Sequence, residues 1–133
     1  MPATDPFFDS NVILYLTSSD IEKAAAAEGW LANRGVVSVQ VLNEVAEVAR
    51  RKFKMEWHDV RAILSVVRRA CRVESVSAET HDYGLQIAER HGFGVYDSMV
   101  IASAIQAGCS TLLSEDLQHG QKIGSVAIRN PFL

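Results

Sequence analysis

Apolar positions along this chain follow two rhythms, short runs of strand length and longer stretches at helical spacing. Phe7-Phe8 leads directly into Asp9-Ser10-Asn11, and the apolar run Val12-Ile13-Leu14-Tyr15 follows. That pattern predicts a short buried strand that ends at the Asp9 carboxylate and turns into a short helix over about 11–16. Ser18 or Ser19 then suits the cap of a helix from about Asp20 to Asn33, with Ile21, Ala24, Ala25, Ala27, Trp30 and Leu31 as its apolar stripe and Gly35 after its end. Val36-Val37-Ser38-Val39 is a β-branched run of strand length, and Gln40 to Lys52 reads as a helix whose last turn is cationic.

Trp57, Val60, Leu64 and Val67 recur at helical spacing between about Glu56 and Ala70, and Arg72 to Val76 is a weaker strand. Ser77, with Glu79 in the first turn, predicts a helix to about His91 stopped by Gly92. The stretch from Asp97 to Gly108 is apolar on nearly every side, as a buried helix is. Thr111 to Ser114 then forms a short strand, Glu115 to Gly124 a polar loop, and Val126 to Arg129 a last strand.

Strands that alternate with helices specify an α/β fold: a three-layer sandwich around a mainly parallel sheet of about four or five short strands. No linker, repeat or low-complexity segment divides residues 1–133, which predicts a single domain. In open parallel sheets ligands bind at the carboxyl ends of the strands, where the following helices point their positive ends. Asp9 is placed at that edge.

Composition adds limits. Apolar residues make up 48% and charged residues 22%, which excludes a disordered or fibrous chain. A net charge of -3 gives no general basic coat, so any polyanion must meet a local basic patch or bound cations. Met1 to Pro6 lacks a basic and an apolar leader region, and no apolar run approaches membrane-spanning length, which predicts a soluble, cytoplasmic chain. Cys71 and Cys109 lack C-x-x-C spacing and sit in apolar surroundings, as buried free thiols do.

Four acids remain as candidate chemistry. Asp9 suits either a helix cap or a metal ligand, and Asn11 suits a turn or a polar neighbour of a metal-bound group. Glu44 lies at the border of the stripe made by Val41, Val45 and Val48, where a carboxylate is costly unless paired; Glu47 falls on the polar face. Asp97 opens the buried helix and suits a cap, a metal ligand or both. Asp116 follows the strand that ends near Ser114; its neighbour Glu115 is the alternative, and topology favours Asp116. In an alternating α/β chain all four reach one edge, where crowded carboxylates need cations, and an all-oxygen site selects Mg²⁺ or Mn²⁺ over zinc.

An Asp-x-Asn after an apolar strand, a Glu in the next strand-helix unit, a Tyr-Asp-x-x-x-x-Ala-x-Ala helix start and a late Ser-x-Asp together resemble the PIN-domain ribonucleases. Within that family the size and architecture look most like the VapC-type toxins of bacterial toxin-antitoxin modules. The resemblance runs from Phe7 to about Ile128, and only the four acids in order are specific. It implies a PIN-like fold, a catalytic and metal-binding set of Asp9, Glu44, Asp97 and Asp116, and polar neighbours Asn11 and Ser114. Ser10 and Ser98 stand where the family often has Thr and Ala, and Ser114 where it often has Thr. Further implications are one or two Mg²⁺ or Mn²⁺ ions, an RNA substrate, a cognate antitoxin and a homodimer.

For phosphodiester hydrolysis such ions activate a water, and no side-chain nucleophile is required. Arg50, Arg51 and Lys52, with Lys54, Arg68, Arg69 and Arg72, suit RNA phosphates as well as a solvated helix end. His58, His81, His91 and His119 show no mutual ligand spacing. Two other classes compete. One is an inactive PIN-like module that binds RNA or protein. The other is an aspartyl phosphatase, which wants a second Asp where Asn11 stands, or a receiver domain, which wants an early acidic pair and a late lysine.

Overall fold

The computed structural model of the chain describes residues 4–133. Met1 to Ala3, on which part of the leader expectation rests, lie outside the described residues. Strand β1 (Phe7–Phe8) runs into α1 (Ser10–Leu14), a 3-10 turn (Tyr15–Thr17) and α2 (Ile21–Ala32). Next come β2 (Gly35–Ser38), α3 (Val39–Arg51), α4 (Trp57–Ala70) and β3 (Cys71–Glu74). The series continues with α5 (Ala78–His91), α6 (Val95–Gln106), β4 (Thr111–Leu113), β5 (Lys122–Ile123) and β6 (Val126–Arg129).

The strands form one sheet in the order β3-β2-β1-β4-β6-β5, parallel throughout except for β5 against β6. Strand β1 lies between β2 and β4: Phe7 pairs with Val36 on one side and Leu112 on the other, and Phe8 pairs with Leu113. The chain first winds outward through β2 to β3, then crosses back to β4. Right-handed crossovers therefore set α1 to α4 on one face and α5 and α6 on the other. Where the winding reverses, between β1 and β4, the loops at the strands' carboxyl ends part and leave a crevice.

Local chemistry explains the element ends. Ser38 caps α3 through its hydroxyl, which accepts from the Val41 amide at 3.3 Å. Ser77 and Thr80 form a reciprocal capping box on α5, and Gly92 ends that helix in the left-handed region at φ 76°. Phe7 and Phe8 are fully buried, and burial of such a ring stabilises by about 1.5–3 kcal/mol. Gly35 makes room for this packing: a Cβ there would stand 2.3 Å from Phe8 Cε1 and 3.0 Å from the Pro6 carbonyl oxygen.

Several details differ from the sequence reading. Six strands form instead of four or five, because Lys122 and Ile123, inside the predicted polar loop, fold back on Val126 and Ala127. Asp20, not Ser18 or Ser19, caps α2; its side chain accepts from the Lys23 amide at 3.2 Å, while Ser18 Oγ accepts from the Asp20 amide. Ile21 begins that helix outside the core at 81% exposure, and the buried stripe narrows to Ala27 and Leu31. Trp57 is also exposed, under the Arg50 guanidinium, which lies 4.5 Å from its ring centroid. Both cysteines are buried free thiols as expected, and burial pushes each up to about 11. Among the described residues no helix is long and apolar enough to cross a membrane.

Candidate active site

Asp9 follows the last residue of β1, at the sheet's point of reversal, and its amide continues the ladder by donating to the Leu113 carbonyl at 2.9 Å. The side chain does cap α1: Oδ1 accepts from the Ser10 amide at 2.8 Å. Its other oxygen accepts from Ser114 Oγ at 2.9 Å, where β4 ends beside β1. The carboxyl is 5% exposed, and burial pushes its pKa up to about 6 against the smaller pull of those two hydrogen bonds. Glu44 and Asp97 add repulsion in the same direction. Capping and proximity to other acids thus coexist at one residue.

Glu44 sits half-buried on α3, held by two neighbours: Ser10 Oγ donates to Oε2 at 3.0 Å and Gln40 Nε2 to Oε1 at 3.1 Å. Gln40 also reaches the Tyr96 carbonyl at 3.4 Å and so ties α3 to the residue before Asp97. Sequence reasoning passed over Gln40. Its signal was the i, i+4 spacing to Glu44, which puts the two side chains on neighbouring turns.

Asp97 is not the cap of α6. Gly94 takes that position, with no side-chain cap bond, and Asp97 lies in the first turn. Glycine tolerates the N-cap well, which let the helix begin at Val95, two residues earlier than its polar signal. Burial, then repulsion from Asp116, raises the Asp97 carboxyl above its ordinary range.

The late acids separate cleanly. Asp116 is exposed and its Oδ2 accepts from Asn11 Nδ2 at 3.0 Å. Glu115 instead accepts from Tyr15 Oη at 2.6 Å and from Lys23 Nζ at 2.7 Å. Partial burial pushes Glu115 up, yet the bonds from Lys23 and Tyr15 outweigh it and leave the carboxyl below its usual range. Of this pair, the charge felt at Asp97 is that of Asp116. Asn11 stands among them, with Nδ2 also 3.3 Å from Ser114 Oγ and 3.4 Å from Asp9 Oδ2, while its Oδ1 accepts from the Glu115 amide at 3.1 Å.

The basic residues divide in the same way. Arg50 is engaged by the Met55 carbonyl at 2.7 Å and by Trp57, and Arg51 pairs with Glu47 at 3.2 Å on the helix surface. Lys52 lines a cleft with Asn11, Tyr15 and Asp116, and Arg51 lines a second cleft with Ser10 and Glu44, so both bring a cation to the acids' rim. His119 is exposed, and its Nδ1 accepts from the Asn130 amide at 3.0 Å.

Among the described residues no three carboxylate, imidazole or thiolate side chains converge closely enough to enclose a metal ion. The donors near one another are carboxylate, amide and hydroxyl oxygens, with the charged forms of Asp9 and Asp97 disfavoured first by burial and then by neighbouring negative charge. Such a set fits a hard divalent cation that keeps several of its waters, as Mg²⁺ does, and does not fit a dehydrated four-ligand zinc site.

A mainly parallel sheet with helices on both faces, and acidic side chains from separate segments near its point of reversal, make up the architecture. The chain belongs to the PIN-domain family, whose match spans residues 7–122. By sequence, no curated protein matches the chain. Its fold is similar to that of a toxin-antitoxin complex from Klebsiella pneumoniae, with a TM-score of 0.73 and 18% identity over 96% of this chain and 98% of that one. VapBC2 from Rickettsia felis, bound to a promoter DNA fragment, gives 0.69 and 17% over 96% and 98%. VapC20 from Mycobacterium tuberculosis, a toxin that cleaves the sarcin-ricin loop, gives 0.66 and 18% over 81% and 87%. At these identities the likeness is one of fold.

Proposed function

We propose that this chain is a Mg²⁺- or Mn²⁺-dependent ribonuclease and the toxin of a toxin-antitoxin pair, with residues 1–133 as one domain. The observation that carries the reading is the convergence of acids from separate segments: Asn11 Nδ2 reaches both Asp9 and Asp116, Ser10 beside Asp9 holds Glu44, and Asp97 lies near enough for its charge to be felt at Asp9. Carboxylates that destabilise one another in a crevice are ready to hold a cation. Membership of the PIN-domain family and a fold shared with toxins, one of which cleaves the sarcin-ricin loop, support the same reading.

In this reading Asp9, Asp97, Asp116 and Glu44 hold one or two ions, which when bound supply an activated water and offset charge on the scissile phosphate. The chain does the rest. Burial fixes Asp9, while Ser10 and Gln40 fix Glu44 from two sides. Asn11 and Ser114 keep Asp9 and Asp116 in register across β1 and β4. Lys52 at the rim of one cleft and Arg51 in a second cleft beside Glu44 meet RNA phosphates, with Arg50 adding charge on the same helix end. A cognate antitoxin, a homodimer and a cytoplasmic site of action complete the proposal.

The test is cleavage of RNA by the purified chain with Mn²⁺ or Mg²⁺, lost on EDTA treatment and in Asp97→Asn while circular dichroism stays native. RNA that is bound but never cut, with any divalent metal, makes the chain a binding module instead. Growth arrest on expression, relieved by a small protein encoded beside it, tests the toxin role.

A further inference from the structure

Residues 114, 115 and 116 alternate in direction. Ser114 turns inward to Asp9, Glu115 turns outward to α2, and Asp116 turns back to Asn11. What draws Glu115 outward is a compact arrangement contributed by three distant parts of the chain. The Lys23 ammonium donates to Glu115 Oε2 at 2.7 Å and to Tyr15 Oη at 3.2 Å, and Tyr15 Oη donates to Glu115 Oε1 at 2.6 Å. Lys23 also lies 4.7 Å from the Tyr15 ring centroid and 5.4 Å from that of Phe132, and those rings meet edge to face at 4.7 Å. Both carboxylate oxygens of Glu115 are therefore occupied, and the cation between two aromatic faces is held in place.

We propose that Lys23 and Tyr15 are positioning residues of the carboxylate site: by fastening Glu115 to α2 they make Asp116, and not its neighbour, the late acid that serves a divalent cation. This rests on the metal-dependent reading of the site given above. Two adjacent carboxylates otherwise compete for the one place beside Asn11, because a rotation of the short segment after β4 exchanges them. The clamp removes one competitor. It adds no ligand of its own, since Lys23 carries a positive charge and Tyr15 is engaged by Glu115.

A double-mutant cycle on the purified full chain, read by calorimetric titration with Mn²⁺ alone, tests this without reference to turnover. In the native background Asp116→Asn weakens Mn²⁺ binding about tenfold and Glu115→Gln leaves it within about twofold. With Lys23→Met in place, Asp116→Asn costs less than about threefold, because the released Glu115 substitutes for it. Adding Glu115→Gln to that double variant restores the full loss. Tyr15→Phe, which keeps the ring stacking and removes only the hydroxyl, moves the cycle in the same direction by a smaller amount. An Asp116→Asn penalty that is the same with and without Lys23 overturns the clamp while leaving the metal site intact. A native chain that takes up no Mn²⁺, or that loses nothing with Asp116→Asn, overturns the clamp together with the assignment of Asp116.

Discussion

Asn11 and Asp116, 105 residues apart in the chain, are joined by a 3.0 Å hydrogen bond from Asn11 Nδ2 to Asp116 Oδ2. The same amide group touches Asp9 and Ser114, and its oxygen takes the Glu115 amide, so one side chain spans the ends of β1 and β4. Asn11→Ala leaves the Glu115 amide and Asp116 without that partner. Hydrolysis is expected to fall at least tenfold through lost alignment, with a stability loss of about 1–3 kcal/mol. Urea melts and RNA cleavage rates check both numbers; an unchanged rate would remove Asn11 from the site.

Asp97→Asn separates chemistry from folding. The carboxyl is partly buried and repelled by Asp116, so its charge contributes nothing favourable to the metal-free fold. Cleavage is expected to drop more than about 100-fold, the scale of a lost electrostatic group in a site, while the melting temperature stays level or rises. A melting temperature lowered in step with activity would point to a structural role.

Burial gives Asp9 a pH signature. Its folded carboxyl holds a proton up to about pH 6, whereas the unfolded one releases it near 3.8. Between those values the folded state binds the proton that the unfolded state has lost. Stability therefore falls as pH rises through this window, and the full cost, on the order of 3 kcal/mol, is present above about pH 6. Asp9→Asn is expected to stabilise the metal-free chain at about pH 7.5 and to have little effect at about pH 3.5. Denaturant melts at the two pH values decide it, since equal effects at both would contradict the burial argument.

Divalent cation should relieve the same strain. Adding Mg²⁺ at neutral pH is expected to raise the melting temperature of the native chain, because a ligand that binds only the folded state stabilises it. The rise should be lost in Asp9→Asn. Differential scanning fluorimetry with and without EDTA makes the comparison, and an equal rise in both proteins would place the ion elsewhere.

Gly35→Ala tests the packing beneath the site. The new methyl meets the ring of Phe8 at 2.3 Å and a backbone oxygen at 3.0 Å, and Phe8 is the residue before Asp9. Overpacking of this kind costs about 1–3 kcal/mol. Thermal denaturation within error of the native chain would mean that β1 shifts freely, which its pairing on both sides opposes.

Much of this was readable from local pattern. Phe7-Phe8-Asp9 announced a buried strand ending in an acid, and Ser77 and Gly92 marked both ends of α5, because those signals act within a few residues. Asp97 was placed on the right helix; of the roles offered for it the cap falls to Gly94, which tolerates that position, and the metal-ligand role is part of the proposal. The choice between Glu115 and Asp116 depended on Lys23, 92 residues away, and no local pattern carries that information. Likewise β5 exists only because β6 offers it an edge.

The central strand, two residues long, is gripped on one side by a neighbour made soon after it and on the other by β4, made some hundred positions later. While translation is under way, Asp9 and Glu44 can emerge and pack, yet the segment bearing Asp116 has still to be synthesised. Under the proposed reading, this order of synthesis leaves the acid set incomplete until the segment after β4 has been made.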